Sequence, residues 1–135
     1  MDNFLQPAVS RTFTYIRDTS DFISKIEQLK IPNEAVFMTA DVQSLYTNID
    51  HERARSVVEK VLLERSQQDP PSYTLLELTD ICLENNYFRF LNEFYVQIKG
   101  VVMGSAFAPS IANLVMSDFE NSTVLDRNFN PSNQI

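Results

Sequence analysis

The chain has 135 residues, one domain's worth, and 44% hydrophobic against 21% charged residues is globular composition, which excludes disorder along its whole length. Eleven lysines and arginines against 18 aspartates and glutamates give a net charge of −7, the wrong sign for a self-sufficient phosphate-binding surface. The single cysteine, Cys82, forbids an internal disulfide and points to a reducing, intracellular setting, with nucleus and cytoplasm both open.

The start, Met1-Asp2-Asn3, has neither the basic nor the apolar region of a secretory signal. The most apolar stretch, Val101 to Met116, is shorter than the ~20 residues a membrane span needs and is interrupted by Ser, Pro and Asn. A soluble chain is expected.

In chain order, Thr12 to Ile16 alternates like a short strand. Asp18, Thr19, Ser20 and Asp21 offer N-caps for a helix with Phe22, Ile23, Ile26 and Leu29 on one face, ended by Pro32. Val36 to Ala40 then reads as a short buried strand running into a carboxylate, Asp41, with Val42-Gln43-Ser44-Leu45-Tyr46 following. Asp50 caps the clearest amphipathic helix, in which Ala54, Val57, Val58, Val61 and Leu62 share a core-facing side.

After a proline-closed loop, Thr74-Leu75-Leu76-Glu77 has the form of a capping box opening a helix through Leu83. Tyr87 to Phe90 and Phe94 to Ile98 flank a short turn and predict a β-hairpin. Its aromatics read as core and cross-strand pairs, with a base-stacking platform as the alternative. A helix is expected from Ala108-Pro109 onward, because proline suits a first turn. The polar run over 121–135 reads as an unstructured tail appended to a domain over 1–120.

Three features bear on chemistry. An aspartate at the end of a buried strand needs a metal, a cation or hydrogen bonds to offset its desolvation, so Asp41 is either a structural cap or a ligand. Both glycines of the chain, Gly100 and Gly104, fall in one loop, which implies unusual torsions or close backbone approach, to a ligand or within a tight turn. The loop lacks the Gly-Lys-Ser/Thr of a P-loop and the third glycine of a dinucleotide fingerprint. His51, the sole histidine, reads as a solvated residue at a helix start, and without a histidine base the serines carry no hydrolase site.

The combination Asp41-Val42-Gln43-Ser44-Leu45-Tyr46-Thr47-Asn48-Ile49 and Met103-Gly104-Ser105-Ala106-Phe107-Ala108-Pro109, followed by Ala112-Asn113-Leu114, resembles the reverse transcriptase domain of Penelope-like retroelements. More broadly it resembles the palm of reverse transcriptases and telomerase. The resemblance covers most of the chain, from about Leu5 to Glu120. It implies an α+β fold: a polymerase palm with helices packed on a small antiparallel sheet.

The resemblance also implies roles. Asp41 and the carbonyl of Val42 would hold Mg2+, or Mn2+, for two-metal nucleotidyl transfer. Tyr46 would be the aromatic gate under the incoming sugar, and Gln43, Ser44 and Leu45 would offer amides to the triphosphate. Met103, Gly104 and Pro109 would cradle the templating base pair. Partners would be an RNA template with a DNA primer, deoxynucleoside triphosphates and the rest of the polymerase, with no membrane.

The sequence departs from the family where an aromatic-x-Asp-Asp motif should supply the other carboxylates: no Asp-Asp pair occurs. Asp118 and Asp126 lack that context, and Val101-Val102 stand where Thr-Ala is expected. A lone aspartate cannot hold two magnesium ions against water. The expectation is therefore an incomplete palm from an RNA-directed DNA polymerase, inactive by itself. The alternative is a catalytically dead relic serving as a nucleic-acid-binding or protein-assembly module.

Overall fold

A computed structural model describes residues 1–124. Six helices and one hairpin follow in the order α1 (Asp2–Val9), α2 (Thr19–Glu27), α3 (Leu45–Asn48), α4 (His51–Leu63), α5 (Ser72–Glu84), β1 (Tyr87–Phe90), β2 (Glu93–Val96) and α6 (Ala108–Phe119). The fold class is α+β. A wide five-residue turn, Glu120–Val124, continues α6 into the stretch expected to be unstructured, and the remainder of that stretch lies outside the described residues.

The core is helical. Helix α4 buries Ala54, Val57, Val58 and Leu62 along one side and packs between α5 and α6. Helix α1 lays Leu5 and Val9 against α6 and α4. From α5 come Leu75, Leu76 and Leu83, and from α6 Ile111, Ala112 and Leu114. Each fully buried aliphatic side chain contributes roughly 1.5–3 kcal/mol relative to exposure. Ala54, with no exposed surface, keeps the helices close.

The polar groups inside this body are satisfied. The Thr79 hydroxyl donates to the Leu75 carbonyl at 2.8 Å. Ser110 Oγ, fully buried on α6, donates to Asp2 Oδ1 at 2.5 Å and accepts from Gln6 Nε2 at 3.0 Å, tying α1 to α6. Sequence patterning gave no sign of that tie.

Both expected caps form. Asp50 Oδ1 accepts from the Glu52 and Arg53 amides at 3.0 and 3.2 Å at the head of α4. Asp18 accepts from the Asp21 amide at 2.9 Å at the head of α2. The capping box expected at Thr74 does not: α5 starts earlier, at Ser72 after Pro71, which places Thr74 inside the helix. The alternation over Thr12 to Ile16 forms turns, with Thr12 Oγ1 bonded to the Val9 carbonyl at 2.9 Å.

Two larger expectations are corrected. Val36 to Ala40 is not a buried strand: it is irregular, and Val36 and Met38 are 90% and 88% exposed. A strand needs a neighbour to satisfy its backbone, and among the described residues the only sheet is the β1–β2 pair, which does not include this segment. Nor do the helices pack on that sheet. Every residue of both strands is exposed, and the helices bury their apolar sides against one another.

The hairpin is internally regular. Phe88 faces Tyr95, their rings stacked 5.6 Å apart, and Arg89 lies over Phe94. Its turn residues Leu91 and Asn92 both have positive φ, 48° and 67°, the twist that suits a two-residue hairpin loop. Asparagine tolerates that region and leucine rarely adopts it. The aromatic pairing across the strands is as expected; the burial of these aromatics in a core is not.

Candidate nucleotide-facing site

The segment after Asp41 builds a tight corner. Ser44 adopts a left-handed conformation (φ 52°), uncommon for a residue with a side chain, and α3 is a single turn beginning at the next residue. The Ser44 carbonyl accepts from Thr47 Oγ1 at 3.0 Å and from Asn48 Nδ2 at 3.2 Å, while Asn48 Nδ2 also reaches the Gln43 carbonyl at 3.3 Å. Side chains of Thr47 and Asn48 thus hold the bend. Tyr46 is half-buried and packs against the core, and Ile49 is buried.

The glycine loop meets this corner directly. Val101 donates its amide to the Tyr46 carbonyl at 2.7 Å, and Gly100 donates to the Ile49 carbonyl at 3.1 Å. A Cβ at Gly100 would lie 2.6 Å from Thr47 Cα, closer than side-chain carbons come to backbone, and φ there is +83°. The close approach expected of this glycine is therefore to the chain's own backbone. Val101 is buried beneath it, and Phe107 and Ala108 carry the loop into α6.

Gly104 differs. Its φ is +97°, and nothing lies within 4 Å of where a Cβ would stand. Met103 beside it is 71% exposed, and Pro109 is exposed in the first turn of α6. The loop therefore has an inner half, Gly100 and Val101, bonded to the corner, and an outer half, Met103 and Gly104, left open.

His51 is a correction. It is half-buried, not solvated, and its Nε2 lies 2.8 Å from the Gly100 carbonyl oxygen. Its position beside Asp50 signals a helix start and carries no hint of a partner 49 residues away.

Of the residues singled out in sequence, Asp41, Gln43 and Ser44 are exposed. Val42 and Leu45 line an apolar cleft of about 330 Å³ with Ile49, Val115, Met116 and Phe119. Asp41 and Val42 do not by themselves fit a two-metal centre, because no three His, Cys, Asp or Glu side chains among the described residues are grouped to hold an ion. Hard divalent ions need several oxygen donors, and Asp41 brings one carboxylate.

A larger cleft, about 560 Å³, lies elsewhere, between α1, α4 and α6. Two of the three cations lining it are engaged within the fold: Lys60 pairs with Asp118 at 3.1 Å, and Arg65 bonds the Pro70 carbonyl at 2.8 Å while lying over the Phe4 ring, with Arg11 the third. Size alone does not make it the site; the corner and loop combine open backbone with unusual torsions. Among the described residues no helix is long and apolar enough to cross a membrane.

Comparison with protein-family models, curated proteins and solved structures finds no match.

Proposed function

We propose that the chain is the fingers–palm portion of a reverse transcriptase of Penelope-like retroelements, an RNA-directed DNA polymerase whose carboxylate set this stretch does not complete. The observation that supports it is that the loop leading into the second signature is bonded to the first: Val101 on Tyr46 and Gly100 on Ile49 draw together stretches about fifty residues apart in sequence.

In this reading the corner supplies the sugar and phosphate side, with Tyr46 under the sugar and the amides of Gln43 to Leu45 toward the phosphates. The open outer half of the loop, Met103 and Gly104, supplies the base-pair side. Positioning of this kind, with backbone donors set by rigid elements, is what transfer to a nucleotide requires of the protein. The chemical step itself is not assigned to these residues, because the donors for its metal ions are incomplete.

The test is binding of an RNA-template–DNA-primer duplex, followed by competition between deoxy- and ribonucleoside triphosphates for the complex. The reading expects duplex binding that weakens with salt and a preference for the deoxynucleotide that Tyr46→Ala relaxes. Equal loss of both nucleotides in Tyr46→Ala would contradict the gate role, and no duplex binding at low salt would contradict the reading.

A second reading, an assembly module without catalysis, has one observation in its favour: the exposed apolar run at Val36, Phe37 and Met38 and the exposed hairpin aromatics. It expects concentration-dependent self-association in sedimentation and no duplex binding.

A further inference from the structure

We propose that His51 is a positioning residue, a latch that fixes the glycine loop on the Tyr46–Ile49 corner and so sets the face that Met103 and Gly104 present. A carbonyl oxygen only accepts, so the 2.8 Å contact to Gly100 requires the proton on Nε2. The donor comes from a rigid place. His51 is the first residue of α4, whose head is capped by Asp50 and whose body is buried through Ala54, Val57, Val58 and Leu62.

Gly100 is thereby held at both ends: its amide donates to Ile49, and its carbonyl accepts from His51. The Val101 amide, donating to Tyr46 at 2.7 Å, closes the set. Backbone is already in contact beneath Gly100, where Thr47 Cα would be 2.6 Å from an added Cβ, so the loop cannot move inward. Only outward release is open to it, and His51 is placed to oppose that. The outer half of the loop hangs from this clamp with free space around Gly104. The latch itself assumes no ligand; that the presented face meets a nucleotide rests on the proposed function.

Amide hydrogen exchange on the full chain tests it. In His51→Ala, the Gly100 and Val101 amides should exchange about tenfold faster, the scale of one hydrogen bond, while amides of α5 keep their rates. His51→Gln places an amide donor near the Nε2 position and should restore most of the protection. As the only histidine, His51 gives an unambiguous nitrogen spectrum, which should show the Nε2-protonated tautomer.

Unchanged exchange at Gly100 and Val101 in His51→Ala would overturn the latch. So would equal acceleration throughout the chain, or a Gln variant no better protected than Ala. An intact latch in a protein that binds no nucleotide would defeat the nucleotide reading alone, so the two failures are separable.

Discussion

The helical body formed by α1, α4, α5 and α6 and the outer set formed by α2, the 28–44 segment and the hairpin draw on the same kinds of residue, yet only the first buries them. Leu5, Val58, Leu62 and Ile111 are fully or almost fully enclosed. Phe22, Ile23, Phe37, Met38, Phe90 and Phe94 are not, and among the described residues no other helix or strand packs on α2. Apolar patterning establishes that a face can be buried; the presence of an opposing face decides that it is. The corner and the glycine loop sit where the two regions meet, with Val101 and Ile49 in the core and Asp41 and Met103 outside it.

Urea denaturation of core and outer variants should separate the regions most widely. Leu62→Ala or Ile111→Ala should lose about 2–5 kcal/mol, whereas Phe37→Ser and Phe94→Ser should stay within about 0.5 kcal/mol. A cost at Phe37 matching that at Leu62 would mean the outer set is covered in solution.

The two glycines sharpen it at the boundary. Gly100→Ala forces a methyl onto Thr47, about 1–3 kcal/mol of overpacking, in addition to the backbone penalty that its φ of +83° carries, with the loop displaced. Gly104→Ala meets open space and should carry only the backbone penalty, about 1–2 kcal/mol. Thermal unfolding of the pair gives the order, and a Gly104 variant as damaged as Gly100 would refute the division into inner and outer halves.

Helix caps extend the same contrast. Asp50→Ala should lower global stability by about 1 kcal/mol, since α4 carries the core. Asp18→Ala should reduce helicity in α2 and leave the global transition in place. At the surface of the body, Asp118 pairs with Arg53 and Lys60. Asp118→Asn should cost less than about 1 kcal/mol, and that cost should shrink as salt is added.

The smallest effect is a pH dependence confined to α2. The Asp21 amide, and after it the Arg17 guanidinium, hold the Asp18 carboxyl below its usual range. The Arg17 amide, and after it Lys25, do the same for Asp21. Each carboxyl titrates lower in the folded helix than in the unfolded chain. Their contribution is therefore complete above the unfolded value of about 3.9 and fades as pH falls through the folded values. Circular dichroism should show partial loss of helix only in acid, with no change between pH 5 and 8.

What could be read from the sequence follows these physical lines. Helix α4 was legible because its cap, its period and its buried face all agree. Helix α6 was legible from its proline, and the hairpin from two aromatic runs around a short turn. Val36 to Ala40 misled because a β-branched, aromatic run looks alike whether or not a second strand lies beside it. At the site, the glycines announced a close approach but not its target, and His51 to Gly100 is a tertiary contact with no local signature. The Asp2–Gln6–Ser110 tie is hidden for the same reason, each residue being unremarkable in its own stretch.

The proposed function requires the corner and the loop to form one nucleotide-facing surface, and amide chemical-shift mapping can show whether they do. Titrating a deoxynucleoside triphosphate into the chain with a primer–template should perturb Gln43 to Tyr46 and Met103 to Ser105 together, with one shared binding curve. Perturbation centred on the cleft around Phe4, Lys60 and Arg65, or of one segment without the other, would contradict it.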